Sequence, residues 1–201
     1  MNPTYTESLK RLMEQFERLP GIGPRSAERL AFYILKQTPE EALKLAQAIQ
    51  DVKTRIRYCD RCYNLSEKEL CDICSNAARD QGVICIVEQH NDLISLEQTG
   101  LCNWVYHVLL GHLAPLEGIT ADDLTINALV ERVEGGEIRE IVMATNPTME
   151  GDGTALYIQS LLESTGVPIT RLARGLPSGG SIEFAGKGIL ADAIEGRRKM
   201  Q

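Results

Sequence analysis

The chain opens on three stretches whose apolar residues recur at helical spacing. Leu9, Leu12, Met13, Phe16 and Leu19 share one helix face, and Ala27, Leu30, Ala31, Ile34 and Leu35 repeat the pattern. A third helix is predicted from Thr38, with Pro39 at its first position and Glu41 completing a capping box. Its buried stripe would be Leu45, Ala46, Ile49, Val52 and Ile56. The helices of residues 1–57 form a small unit with little core of its own.

The period changes after residue 80. Val83–Val87 is a short β-branched run suited to a buried strand, and Asn91–Gln98 is predicted as a short helix. Residues 105–110 are a second apolar run, and 121–133 have helical spacing. Ile138–Ala144 is predicted as a strand ended by Thr145-Asn146-Pro147, 154–164 as a helix and 167–173 as a strand. Strands alternating with helices predict the α/β class with a mostly parallel sheet, after an all-helical start. The glycine-rich stretch 175–188 is expected as loop or irregular strand.

Composition adds little to that picture, but the distribution of charge adds something. Hydrophobic residues make up 43% of the 201 and charged residues 24%, ordinary for a globular chain, with a net charge of −7. Residues 1–58 hold ten Lys and Arg against seven Asp and Glu, a net +3. The remainder holds eleven against twenty-one, a net −10. A basic end on an acidic body fits a binding end, and a solvated surface accounts for it nearly as well. No secretory leader and no bilayer-length apolar run is visible, which makes a reducing cytoplasm the expected compartment.

In that compartment paired cysteines are metal ligands before they are disulfides. Cys59-Asp-Arg-Cys62 and Cys71-Asp-Ile-Cys74 form two knuckles with eight residues between them. Each knuckle aims two thiolates at one point, and together they complete a tetrahedral S4 set with no open position. A structural Zn2+ is predicted, worth roughly 10–16 kcal/mol to folding by analogy with zinc-finger peptides. A redox dithiol, a disulfide pair and an iron–sulfur site are the competing assignments. Cys85 and Cys102 are expected to be ordinary thiols, and His90, His107 and His112 to be structural.

The segment Leu19-Pro20-Gly21-Ile22-Gly23-Pro24-Arg25-Ser26-Ala27 joins the first two helices. Two glycines permit a tight turn, Ile22 plugs between the helices, and Pro24 suits the opening of the second. Peptide N–H groups at such a turn suit a phosphate oxygen. Arg25 at a helix start opposes the helix dipole by about 0.3–1 kcal/mol, and a bound phosphate would reverse that sign. Arg29 lies one turn on. The segment resembles the helix-hairpin-helix motif, whose members bind DNA backbone without regard to sequence. The plain alternative is a glycine turn between packed helices. Lys53, Arg55 and Arg57 would extend the basic surface, or simply solvate a helix end.

In the α/β part, Glu88 follows the first strand and Asp92 lies four residues later. The segment Ala144-Thr145-Asn146-Pro147-Thr148-Met149-Glu150-Gly151-Asp152 follows another strand. Both fall where open α/β sheets place their ligands. The two segments resemble a Toprim domain, in which the second would read ATDPDREGE. Here Asn146 and Thr148 stand at the two aspartate positions. One remaining carboxylate would hold Mg2+ poorly. A nuclease or strand-joining Toprim enzyme is the rival from another class, and a purely protein-binding zinc adaptor is a third reading. A phosphate-binding loop around Gly180 and Gly186-Lys187-Gly188 is not expected, because the spacing is one residue too long and Gly188 stands where Ser or Thr belongs.

Hairpin, four-cysteine site, ATNPT frame and RLARGLPSGG occur in one order along essentially the whole chain. In that order they resemble the bacterial recombination mediators of the RecR family. Departures are small: Ser178 and Ser181-Ile182 in the glycine-rich segment, and Gly153 after Asp152. The resemblance implies a helix-hairpin-helix region over 1–57, a zinc finger over 58–79, a Toprim-like domain over 80–175 and a subunit-contact segment over 176–201. It implies a protein that is not an enzyme and that loads RecA on single-stranded DNA coated by single-strand-binding protein, acting with RecO and in some settings RecF. It implies a homo-oligomer, dimer or tetramer, forming a ring that clamps DNA in the nucleoid-associated cytoplasm. By position it makes Gly21, Gly23, Arg25 and Arg29 the DNA contacts. Glu88, Asp92, Glu150 and Asp152 become the RecO-facing acidic surface, and Arg197-Arg198-Lys199 a subunit or DNA contact.

Overall fold

The computed structural model describes residues 5–197. The chain divides into two compact units, Met1–Ile56 and Arg57–Gln201. In the first, α1 (Glu7–Glu17) and α2 (Pro24–Lys36) pack as an antiparallel hairpin, and α3 (Pro39–Arg55) follows. The α2 face inside this hairpin is made of small residues, with Ala27 and Ala31 fully buried. Small side chains let α1 approach closely and half-bury Leu12, Met13 and Phe16. Thr38 caps α3, its hydroxyl accepting the Glu41 N–H at 3.3 Å.

The stripe expected to be buried on α3 is not buried. Leu45, Ile49, Val52 and Ile56 are all exposed, and α3 has no buried residue among those described. The amphipathic pattern was legible, but a covering surface within the chain does not follow from it. Leu35, expected on the α2 core face, is likewise exposed.

The second unit begins with a two-stranded antiparallel ribbon, β1 (Arg57–Tyr58) and β2 (Leu65–Ser66), which carries the cysteine knuckles. The body is a parallel sheet of β3 (Asp80–Val87), β4 (Trp104–Val108), β5 (Glu140–Met143) and β6 (Ile169–Arg171), in the order β4-β3-β5-β6. Its helices are α4 (His90–Glu97), α5 (Ile126–Glu134) and α6 (Met149–Leu162), and α7 (Lys187–Glu195) ends the described chain.

The sheet is covered on both faces, and the period-two alternation of β3 shows how. Ile84 and Ile86 point to one side with Val105, Ile141 and Met143, packed by Ile126, Leu129, Ile158 and Leu162 from α5 and α6. Cys85 and Val87 point to the other with Tyr106, Val108 and Val142, packed by Leu93 of α4 and by Tyr63 and Ile73 of the cysteine loop. The cysteine loop is thus part of the α/β core.

The chain leaves β3 for β4 on one side and returns across it to β5 on the other. The neighbours β3 and β5 therefore flank the topological switch point, where such sheets open a crevice at their carboxyl ends. Residues 86–88 and 144–146 meet there through backbone and side-chain hydrogen bonds.

Two expectations shift. The helix predicted over 154–164 begins at Met149, because Thr148 caps it by accepting the Gly151 N–H at 3.0 Å. Part of the supposed loop 175–188 lies within α7, which starts at Lys187.

Candidate metal centre and nucleic-acid interface

The four sulfurs of Cys59, Cys62, Cys71 and Cys74 lie within 4.8 Å of one another, and all four residues are buried. Tetrahedral Zn–S bonds of about 2.3 Å require S···S edges of about 3.8 Å; the Cys62–Cys71 pair stands at 3.6 Å. Backbone N–H groups already address the sulfurs. Cys71 donates to the Cys59 Sγ at 3.3 Å, Asn64 to the Cys62 Sγ at 3.4 Å and Cys74 to the Cys71 Sγ at 3.5 Å. Donors of this kind stabilise thiolates.

Hydrogen bonding with Cys62 draws the Cys71 thiol far below its ordinary range, while that same interaction pushes Cys62 up. Such crowding is relieved when a divalent cation takes all four as thiolates. The first knuckle turns at Tyr63, which holds a φ of 60°. Its N–H bonds the Cys59 carbonyl at 3.0 Å, and its own carbonyl accepts the His90 Nε2–H at 3.0 Å. Val108 on β4 donates to the Cys62 carbonyl at 2.8 Å. The knuckle is therefore seated on α4 and β4, and Tyr58 stacks on His90 with ring centroids 5.8 Å apart.

The hairpin between α1 and α2 makes the expected tight turn at its glycines. Gly21 holds a φ of +79°, a conformation side chains disfavour, and Gly23 is the N-cap of α2 with Pro24 in its first turn. A Cβ at Gly21 or Gly23 would meet nothing within 4 Å. At Gly23, where φ is ordinary, packing gives no reason for glycine. Its missing side chain instead clears the outer surface beside the unpaired N–H groups of the first turn. Arg25 and Arg29 are exposed, and neither joins an ion pair among the described residues. No acidic residue occupies the first turn of α2. Elsewhere the basic surface thins: Arg55 pairs with Asp51 at 3.2 Å and Arg57 with Asp60 at 2.6 Å. Arg197 donates to the Ile194 carbonyl, while Arg198 and Lys199 lie outside the described residues.

At the switch point the four acidic candidates separate into different roles. Glu88 is 3% exposed, so it is not part of an acidic surface. Its carboxylate accepts the Asn146 N–H at 2.7 Å, the Asn146 side-chain amide at 2.9 Å and the His112 Nδ1–H at 3.1 Å. The spacing of the sequence placed Glu88 at the right end of β3 but could not show these donors around it. Gly151 closes the pocket, since a Cβ there would meet the Asn146 carbonyl at 2.2 Å and the Glu88 Oε1 at 2.7 Å.

Asp92 caps α4, accepting the Gln89 N–H at 2.8 Å. Asp152 is clamped by the guanidinium groups of Arg174 and Arg171, and Arg174 before Arg171 draws its carboxyl below the ordinary range. Glu150 alone is exposed without a side-chain partner among the described residues. Both arginines and Asp92 line a cleft of about 310 Å³ beside Asn146. The arginines are functional candidates that sequence reasoning missed; their presence in RLAR was the available signal.

Family models match three consecutive parts of the chain. A RecR helix-hairpin-helix matches residues 9–53, a RecR four-cysteine zinc finger domain 56–76 and a Toprim domain 82–173. The Recombination protein RecR of Rhodopirellula baltica is 56% identical over 94% of this chain and 95% of its own. The chain belongs to the RecR family. RecR proteins of Chloroflexus aggregans and Pelotomaculum thermopropionicum are 50% and 45% identical, covering 94% and 98% of this chain and 93% and 98% of theirs. As in the RecR zinc-finger model, the four cysteines here hold one structural zinc. Among the described residues no helix is long and apolar enough to cross a membrane.

Proposed function

We propose that this chain binds DNA backbone and acts as a mediator of recombinational repair. With RecO, and with RecF where that protein is used, it loads RecA on single-stranded DNA coated by single-strand-binding protein. The observation that carries this is the hairpin of the RecR frame. There Gly21 and Gly23 leave the turn open, and Arg25 and Arg29 stand exposed beside unpaired N–H groups. Phosphate oxygens satisfy both the donors and the arginines, and nothing in the turn selects a base.

The working form is a homo-oligomeric ring, dimer or tetramer, in the nucleoid-associated cytoplasm. Its support is the uncovered apolar surface: Ile49 and Val52 on α3 are 60% and 57% exposed, and Phe184 and Ile194 near the C-terminus 84% and 64%. Residues 176–201 serve as the second subunit contact. Gathering several basic ends around one hole concentrates positive potential within an otherwise acidic molecule.

The RecO-facing surface is built from Asp92, Glu150 and Asp152, with Glu88 holding the crevice behind them. The protein is not an enzyme. Its Toprim frame presents Asn146 and Thr148 where a Mg2+ site needs carboxylates, and both side chains are engaged internally.

The test is RecA filament formation on coated single-stranded DNA with purified RecO. The wild-type chain is expected to shorten the lag, and Arg25→Ala/Arg29→Ala to abolish that effect. Equal stimulation by both would remove the hairpin from the mechanism, and Mg2+-dependent DNA cleavage by the pure chain would replace the mediator with an enzyme.

A further inference from the structure

Arg132 reaches from α5 to the cysteine loop without a carboxylate to meet it. Its Nη1 donates to the Tyr106 carbonyl on β4 at 2.7 Å and to the Arg61 carbonyl at 3.4 Å. Arg61 lies inside the first knuckle, between Cys59 and Cys62. Three arginines border the cleft of about 720 Å³ at this place, and their situations differ. Arg139 is neutralised by Asp80, to whose carboxylate oxygens it donates at 2.7 and 2.8 Å. Arg61 is exposed to water and donates to the Gln81 side chain at 3.2 Å. Arg132 is partly buried and belongs to no ion pair among the described residues.

Two carbonyls satisfy N–H groups but do not compensate a charge withdrawn from water. The missing countercharge lies next door. Four thiolates around Zn2+ leave a formal charge of about −2 on the site. We infer that Arg132 is the countercharge of the zinc–thiolate centre, and that it couples zinc affinity to the seating of the knuckle on the parallel sheet. Burial lowers the Arg132 pKa, and the sulfurs of Cys74 and Cys62 act in the opposite direction. The Tyr106 carbonyl fixes the guanidinium to β4, and the Arg61 carbonyl fixes it to the knuckle. A single side chain thereby joins the metal site, α5 and the sheet. Arg132 touches no metal; it is a positioning residue that acts through the knuckle.

The inference rests on zinc at the four cysteines, and competition of Zn2+ between the full-length protein and a chelator at fixed pH separates the two claims. A wild-type chain that takes up no zinc would overturn the metal assignment itself. With zinc bound, Arg132→Gln is expected to raise the zinc dissociation constant about tenfold or more. Arg132→Lys keeps the charge and is expected to stay within about threefold of wild type. Cobalt-substituted protein should retain its tetrahedral S4 spectrum in every variant, because no ligand is removed. Melting with and without metal supplies the second readout: Arg132→Gln should lower the melting temperature of the zinc form more than that of the metal-free form. Equal affinities for wild type and Gln, a Lys variant as weak as Gln, or equal thermal shifts in both forms would each overturn the countercharge. If Arg132→Gln does not fold, the Lys variant decides alone, and a tenfold loss of zinc affinity in it contradicts the inference.

Discussion

Asn146 puts a hydrogen-bond donor where the Toprim resemblance would place a carboxylate, and Glu88 accepts from it at 2.9 Å. An aspartate there would set two carboxylates against each other beside a residue only 3% exposed, and a cation would be needed between them. The amide does the cation's work from within the chain. Asn146→Asp should therefore destabilise the protein by about 3 kcal/mol, and millimolar Mg2+ should restore part of the loss. Thermal melts with and without Mg2+ check this; an unchanged melting temperature, indifferent to Mg2+, would show the carboxylates do not interact.

His107 gives a pH dependence. It is fully buried, its Nε2–H faces the Thr125 hydroxyl oxygen at 3.0 Å, and burial pushes its pKa down to about 3. The unfolded chain binds this proton below about pH 6.5 while the folded chain does not, so stability falls as pH falls from there towards 3. At pH 5.5 the loss relative to neutral pH is about 1.3 kcal/mol. Denaturant titrations at the two pH values should show His107→Gln escaping that loss. At this scale the cysteines were legible because their chemistry is carried by type and spacing, whereas the part played by Arg171 and Arg174 was not. The partners of Glu88 were not, because His112 and Asn146 come from distant parts of the chain.

Among elements, hydrophobic period located β3, β5, β6 and all three helices of the first unit, and marked β4 only as an apolar run. Boundaries moved where a cap decided them, as Thr148 does by starting α6 at Met149. Helix α7 was missed because the glycines of 175–188 dominate the local composition, although Ile189, Leu190, Ala193 and Ile194 have helical spacing and Gly196 supplies the stop. The α3 stripe shows a different limit. Amphipathicity says that a face is to be covered, not by which chain. Ile49→Asp/Val52→Asp should leave helicity and the melt of the monomer nearly unchanged while lowering the mass measured by light scattering. A wild-type mass in that variant would place the subunit contact elsewhere. Thr38→Ala should cost about 1 kcal/mol through loss of the α3 cap.

For the whole molecule, the cysteine loop belongs to the α/β unit, tied by Val108, His90 and Tyr63 rather than hung between two domains. Removing zinc should therefore disturb α4 and β4 along with the knuckles. Hydrogen exchange after chelation is expected to rise across residues 57–76 and at these two elements, and protection unchanged there would contradict the seating.

The zinc belongs to this unit, whereas the proposed DNA contact is the hairpin of the other unit. The most direct test of that assignment is a fluorescence-anisotropy titration of single-stranded DNA over a range of salt concentrations, comparing wild type with Arg25→Ala/Arg29→Ala. Each phosphate that the variant no longer neutralises should flatten the slope of log affinity against log salt by about 0.7. The double variant is expected to bind more weakly at low salt and with a shallower slope, equally for unrelated sequences. Unchanged affinity and slope would contradict the account.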